Sequence, residues 1–189
     1  MKILLITLLT FLSSNVSLAK TNMPPHIHGE DLVGFLMEDF NDDGALDKAV
    51  LVRGNEDVDL YIYLSDDSGE MKLVVYNSGI VWSGIMYGTV PSLTQHPKTK
   101  SIILEAGNQA IGRGRWIQKL TISYRDDEFV VSGFTHESYD TLDPENSHSC
   151  DYNLLTGKAV VDKKPAKLIK KHITLEDWDQ ALLPEVCIQ

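Results

Sequence analysis

The sequence is most informative at first for what it lacks. It contains no C-x-x-C pair, no H-E-x-x-H helix and no G-x-S-x-G elbow, so the common signatures of dithiol, zinc-hydrolase and serine-hydrolase chemistry are missing. Bases are scarce. Seventeen Lys and Arg stand against 27 Asp and Glu, and the formal charge of −10 argues against nucleic acid as a principal partner, because phosphate binding needs a basic face. Beyond the first dozen residues no apolar run approaches the ~20 residues of a membrane helix. No motif recurs at a fixed period, which excludes a complete propeller or solenoid. What is present is 43% hydrophobic residues in a chain of 189, enough for one packed domain and too much for a disordered or collagen-like chain.

Met1-Lys2 followed by the short apolar run Ile3 to Leu12, and then Ser17-Leu18-Ala19, has the layout of a signal peptide cut near Ala19. The alternative for the same run is an uncleaved anchor. The absence of a Cys near the cut argues against a lipoprotein. The expected organisation is a signal peptide over 1–19, a flexible N-terminus over 20–30 and one β-rich domain over 31–189, located in the periplasm or secreted, with no integral membrane segment after processing. Export gives Cys150 and Cys187 a meaning: in an oxidising compartment an even pair reads as a disulfide that pins the C-terminal segment to the body, against the alternative of two buried thiols.

Charge is uneven along the chain. Residues 30–80 hold 13 acids against Lys48, Arg53 and Lys72, a net of −10, whereas residues 158–173 hold six lysines against Asp162, a net of +5. The lysine segment reads either as a cover for the acidic half or as a solvated basic strand and turn. Alternating and β-branched runs predict strands at 48–53, 59–64, 71–76, 101–105, 116–124 and 128–134, with turns at Asn55-Glu56-Asp57, Asp66 to Gly69 and Arg125-Asp126-Asp127. Thr174, with Asp177 three residues on and Pro184 beyond, predicts a short C-terminal helix over 175–183 that packs Trp178, Ala181 and Leu182 into the core. The fold class is therefore mainly β, with antiparallel sheets arranged as a sandwich or a partial propeller-like meander.

One motif carries chemistry. Asp39-Phe40-Asn41-Asp42-Asp43-Gly44-Ala45-Leu46-Asp47 presents side-chain oxygens at positions 1, 3, 5 and 9, with a glycine at 6 for the sharp turn. Hard oxygen ligands at these spacings suit Ca²⁺, which lets carboxylates share one small volume. Position 12 is Val50, inside a strand-like run, so the segment is no EF-hand. It resembles instead the strand-loop-strand calcium loops of FG-GAP or VCBS-type repeats over roughly residues 32–53. That resemblance implies Ca²⁺ held by Asp39, Asn41, Asp43, the Ala45 carbonyl and Asp47, with Asp42 pointing outward. The alternative is a loop of the same shape without the ion.

A second resemblance rests on Gly112-Arg113-Gly114-Arg115-Trp116, Tyr124, Phe129, Gly133, Tyr139 and Asn153-Leu154-Leu155-Thr156-Gly157-Lys158, a pattern similar to a group of uncharacterised exported bacterial proteins. It implies architecture and export and transfers no catalytic residue. Gly107 to Gly114 has P-loop glycine spacing without the Lys and Ser/Thr that hold phosphate and Mg²⁺, so it reads as a bend between strands. Arg113, Arg115 and Trp116 read as a ligand-facing edge or as a surface turn with one tucked indole. His26 and His28, near Glu30 and Asp31, have the alternation of a transition-metal pair or of an ordinary N-terminus. His136-Glu137 and His148 with Cys150 have the residue types of acid-base chemistry, although the disulfide claims Cys150. The function expected is that of an exported calcium-binding β-domain acting as a binding protein for a protein or cell-wall glycan, for instance an inhibitor or immunity protein in the periplasm. The alternative is an envelope-acting hydrolase using Asp/Glu and His136.

Overall fold

The computed structural model describes residues 27–188. The signal-peptide expectation over 1–19, most of the N-terminal segment and His26 lie outside the described residues. Those residues form eleven strands in two antiparallel sheets. Sheet 1 runs in sequence order through β1 (Leu32–Glu38), β2 (Asp47–Arg53), β3 (Asp57–Ser65) and β4 (Met71–Trp82). Sheet 2 contains β5 (Ser92–Gln95), β6 (Ile102–Asn108), β7 (Gly114–Arg125), β8 (Glu128–Asp140), β9 (Ser147–Asn153), β10 (Lys158–Val161) and β11 (Lys164–Lys167), again in sequence order. The mainly β, antiparallel expectation holds, and the two meanders pack as a sandwich. Every predicted strand is present, and β8 runs six residues past its predicted end.

Alternation explains the core. In sheet 1 the cross-strand pairs Leu51 with Leu60 and Ala49 with Ile62, joined by Val75, face sheet 2. The opposite parity, Val50, Tyr61 and Tyr63, forms a smaller outer cluster on which Ile27 packs. In sheet 2 one row crosses six strands: Leu93, Leu104, Leu120, Phe134, Tyr152 and Ala159 are successive register partners and all are buried. The two inner faces form a single apolar cluster. Such rows bury enough apolar area to hold both sheets as one body, at roughly 25 cal/mol per Å².

Turn chemistry follows the residues. Asp126 and Asp127 both have positive φ, as do Asp162 and Lys163, the arrangement that two-residue hairpins require and that Asp tolerates. Asn153 Oδ1 accepts from the Thr156 N–H at 2.9 Å and Thr156 Oγ1 at 2.8 Å, so the Asn-Leu-Leu-Thr-Gly-Lys run is the β9–β10 turn. The lysine segment is the β10–β11 hairpin at the far edge of sheet 2. Among the described residues no ion pair joins its lysines to the acids of 30–80. It is the solvated basic strand and turn, and Lys164, Pro165 and Lys167 shield an exposed sheet edge from further pairing.

The predicted C-terminal helix is absent from the described residues. Only two short 3₁₀ turns, Gln180–Leu182 and Glu185–Cys187, occur there. The Thr174–Asp177 pair does form, with the Asp177 N–H donating to Thr174 Oγ1 at 3.2 Å, but it closes a turn instead of starting a helix. The sheet competes for the backbone. The Leu175 N–H donates to the Phe129 carbonyl, the Ile173 carbonyl accepts from Val131, and Asn77 Nδ2 donates to the carbonyls of Leu175 at 2.8 Å and Trp178 at 3.2 Å. A nine-residue helix nucleates poorly without tertiary help, and here tertiary hydrogen bonds favour the extended tail. Trp178 and Leu183 enter the core, whereas Ala181 and Leu182 remain exposed. Cys150 and Cys187 are disulfide-bonded with Cα atoms 5.1 Å apart, so the tail is pinned to β9 as expected.

Candidate functional site

The loop between β1 and β2 contains the five predicted calcium ligands. Asp39 organises it: Oδ1 accepts from the Asp42 N–H at 2.7 Å and the Asp43 N–H at 3.2 Å, and Oδ2 accepts from the Gly44 N–H at 3.2 Å. Gly44 has φ +90, which suits glycine at the sixth position. Asn41 Nδ2 donates to Asp43 Oδ2 at 2.7 Å, and Asp43 Oδ1 accepts from the Ala45 N–H at 2.8 Å. Asp42 points outward and pairs with Lys100, whose ammonium also lies 3.3 Å from Asp39 Oδ2. Desolvation alone would raise the Asp39 carboxyl, but Lys100 and the loop amides together hold it below its ordinary value.

Asp47 behaves differently. It is wholly buried, and its carboxylate accepts from the Phe40 N–H at 2.8 Å and the Ser65 N–H at 3.0 Å. It staples the loop to the end of β3. Among the described residues no three acidic, His or Cys side chains stand in a metal-holding group. The donor chemistry fits a hard cation, since all five predicted ligands are oxygens. The loop brings Asp39, Asn41 and Asp43 together and turns Asp47 away, although each Asp47 oxygen keeps a second lone pair.

A second site emerges from register. The apolar row of sheet 2 is followed, one pair further along, by Ala106, Gln118, His136 and Cys150, and then by Asn108, Trp116, Ser138 and His148. The same inner face thus passes from aliphatic to aromatic and polar residues. A bulge sets its parity. Thr121 pairs with Gly133 and Ile122 with Val131, so Ser132 is the extra residue, and beyond it Phe134, His136, Ser138 and Asp140 share the inner face. The result is a cleft of about 860 Å³ bounded by Asn108, Trp116, Gln118, His136, Ser138, Asp140 and His148, by Trp82 at the end of β4 and by Gln180 and Ile188 of the tail.

Aromatic rings form one wall. Trp82 lies 5.8 Å from Trp116 between ring centres, Trp116 lies 6.3 Å from the His136 imidazole, and His136 stacks on Phe134 at 6.2 Å with planes 7° apart. Gly107 permits the close approach of β6 to β7 behind this wall, since a Cβ there would come within 2.6 Å of the Trp116 carbonyl. His148 Nδ1 is 3.0 Å from Asp162 Oδ1, and Arg113 Nε is 2.6 Å from Asp140 Oδ2. Arg113 holds the Asp140 carboxyl below the usual range. Burial, and then the neighbouring His148, push the His136 imidazole pKa down. His136 is only 8% exposed and, among the described residues, its Nδ1 has no hydrogen-bond partner; His148 Nε2 is likewise buried and unpartnered there.

Comparison with protein-family models, curated proteins and solved structures returns no match. The site therefore rests on its own residues. Of those singled out from sequence, Arg115, Trp116, His136 and His148 line one cleft, Arg113 holds Asp140 at its rim, and Cys150 lies in the disulfide. The Gly107 to Gly114 segment is the bend between β6 and β7, closed by Asn108, whose Oδ1 accepts from the Ile111 N–H at 2.9 Å. Gln118, Ser138 and Asp162 are the residues that sequence reasoning missed. For Gln118 and Ser138 the signal was available as an alternation, Trp116-x-Gln118-x-Leu120 against Phe134-x-His136-x-Ser138, that changes chemistry without changing period; Asp162, in the β10–β11 turn, had none.

Proposed function

We propose that this chain is an exported calcium-binding β-sandwich that works as a binding protein, meeting a protein or cell-wall glycan in the periplasm or outside the cell. The observation that carries the binding reading is the cleft. It is concave, walled by aromatic rings and floored by convergent polar groups, the usual composition of a ligand site. Its carboxylates are already engaged, Asp140 by Arg113 and Asp162 by His148, which leaves hydrogen-bonding groups more than free acids facing a ligand. In the inhibitor or immunity version, the acidic stretch 30–80 faces a basic active site, where opposite charge speeds encounter. Immobilised wild-type protein incubated with envelope extract is expected to retain one stoichiometric partner that Trp116→Leu does not. Equal retention by both would remove the cleft from the reading.

In this reading Asp39, Asn41, Asp43, the Ala45 carbonyl and Asp47 hold Ca²⁺, which would neutralise the crowded carboxylates and stiffen the β1–β2 connection. The FG-GAP or VCBS-like spacing and the all-oxygen donor set support it. Lys100 competes for Asp39. Ca²⁺ is accordingly expected to raise the melting temperature, Asp43→Ala to abolish the rise and Lys100→Gln to enlarge it. A wild-type melt unchanged at saturating Ca²⁺ would end the calcium claim.

The hydrolase alternative has one supporting observation, the His148–Asp162 pair at the cleft, whose Nε2 is buried without a partner among the described residues. It requires that purified protein release soluble fragments from isolated envelope material and that His148→Gln stop the release.

A further inference from the structure

Two buried imidazole nitrogens without partners among the described residues need an explanation, because a buried polar atom left unsatisfied bears its full desolvation penalty. Both belong to the cleft, His136 Nδ1 from β8 and His148 Nε2 from β9. They come from neighbouring rows of the same sheet face, since His136 pairs with Cys150 and Ser138 with His148, and diagonal side chains on adjacent strands lie within reach of one ligand. Asp162 fixes the proton on His148. Its carboxylate only accepts, so Nδ1 carries a hydrogen toward Asp162 and Nε2 is the nitrogen left to meet a ligand group, which a hydroxyl can do as donor or as acceptor.

The surroundings narrow the ligand further. The imidazoles adjoin the Trp116 and Trp82 rings, so the same molecule must offer polar groups on one side and an apolar face on the other. The formal charges at the cleft balance, Arg113 and Arg115 against Asp140 and Asp162, with Arg113 paired to Asp140 and Asp162 beside His148, so no net charge selects an ion. The volume of about 860 Å³ lies inside the roughly 300–1,000 Å³ range of small-ligand sites. A sugar ring has these properties together, with hydroxyls that both donate and accept around its edge and C–H groups on its faces.

We propose that the cleft is a subsite for a neutral oligosaccharide, with sugar hydroxyls bonded to His136 Nδ1 and His148 Nε2 and a ring face against Trp116. The proposal rests on the binding-protein reading and names its ligand class. The test is calorimetric titration of the full mature chain with chitotetraose, cellotetraose and maltotetraose, each alone, against wild type, His148→Gln, Trp116→Leu and, away from the cleft, Asp66→Asn. Near-UV circular dichroism checks that each variant is folded. Expected is saturable binding of at least one saccharide, weakened about tenfold or more by His148→Gln and by Trp116→Leu and unchanged by Asp66→Asn. Binding of none of the three by folded wild type, or equal binding by all four proteins, overturns it, the first result leaving ordered water as the imidazoles' partner.

The parallel retention experiment with envelope extract separates the two claims. A protein partner lost in Trp116→Leu, with no saccharide bound, defeats the saccharide subsite and leaves the binding-protein reading standing. Neither saccharide nor partner defeats both.

Discussion

At the scale of single residues, Asp47 and His136 carry the sharpest consequences. Asp47→Ala would leave the buried Phe40 and Ser65 amides unpaired, at roughly 1–3 kcal/mol each, so urea denaturation in EDTA should detect a loss of about 3 kcal/mol. The exposed Asp43→Ala should lose far less under the same conditions, and equal losses would refute the staple role of Asp47. His136 behaves oppositely to a salt-bridged histidine. Its folded pKa lies below the ordinary 6.5, through burial and then His148, so the unfolded chain binds the proton more readily. Its contribution to stability is therefore complete above about pH 6.5 and is lost as pH falls below that value. His148, Asp162 and Asp140 line the same cleft, and the variant isolates the His136 share. The urea midpoint of wild type should drop between pH 7.5 and pH 5 by more than that of His136→Gln, and parallel curves would contradict this. Legibility also divides here. The loop Asp39 to Asp47 is contiguous, so its spacing could be read directly. His136 and His148 are twelve positions apart, and only the register of β8 against β9 brings them to one cleft.

Among the elements, the strands were legible because period-two alternation records which side is buried. Two features were hidden, and each has a physical cause. Ser132 and Gly133 reverse the parity of β8, so alternation counted from Phe129 and Val131 assigns His136 to the wrong face unless the bulge is known. A glycine inside an apolar strand was the available hint. The tail misled for a different reason: its capping residues are real, but Asn77 and the β8 edge claim the carbonyls and amides that a helix would have used. A deletion tests the bulge. Removing Ser132 would leave Val131 and Phe134 two positions apart, so regular alternation without a bulge would still carry Phe134, His136, Ser138 and Asp140 to the inner face, at the loss of the Ser132–Ser123 hydroxyl contact of 2.7 Å. The expected result is a folded but destabilised β protein in which Trp116 fluorescence and saccharide binding are both retained. A folded deletion variant that loses both would mean that the bend of the bulge, and not parity alone, shapes the cleft.

For the molecule as a whole, one apolar cluster spans both sheets, and the tail adds Ile173, Leu175, Trp178, Leu183 and Cys187 to it. The sheets should therefore unfold together. The Cys150–Cys187 bond closes a span of 37 positions that includes the basic hairpin and the whole tail. Restricting such a loop in the unfolded chain is worth roughly 3–4 kcal/mol in the chain-entropy account. For a domain of this length each kcal/mol moves the midpoint by roughly 2–4 °C, which places the expected fall on reduction near ten degrees. The bond does more than close a loop, because it holds the Glu185–Cys187 turn against β9, next to Ile188, which borders the cleft. Differential scanning calorimetry of wild type, of wild type with reductant and of Cys187→Ser should each give one cooperative transition, the latter two lowered alike, and both reduced forms should bind cleft ligands less tightly. Two separate transitions in the oxidised protein would break the single-core account. An unchanged midpoint on reduction would instead show that the tail is held by Asn77, Leu175 and Trp178 alone.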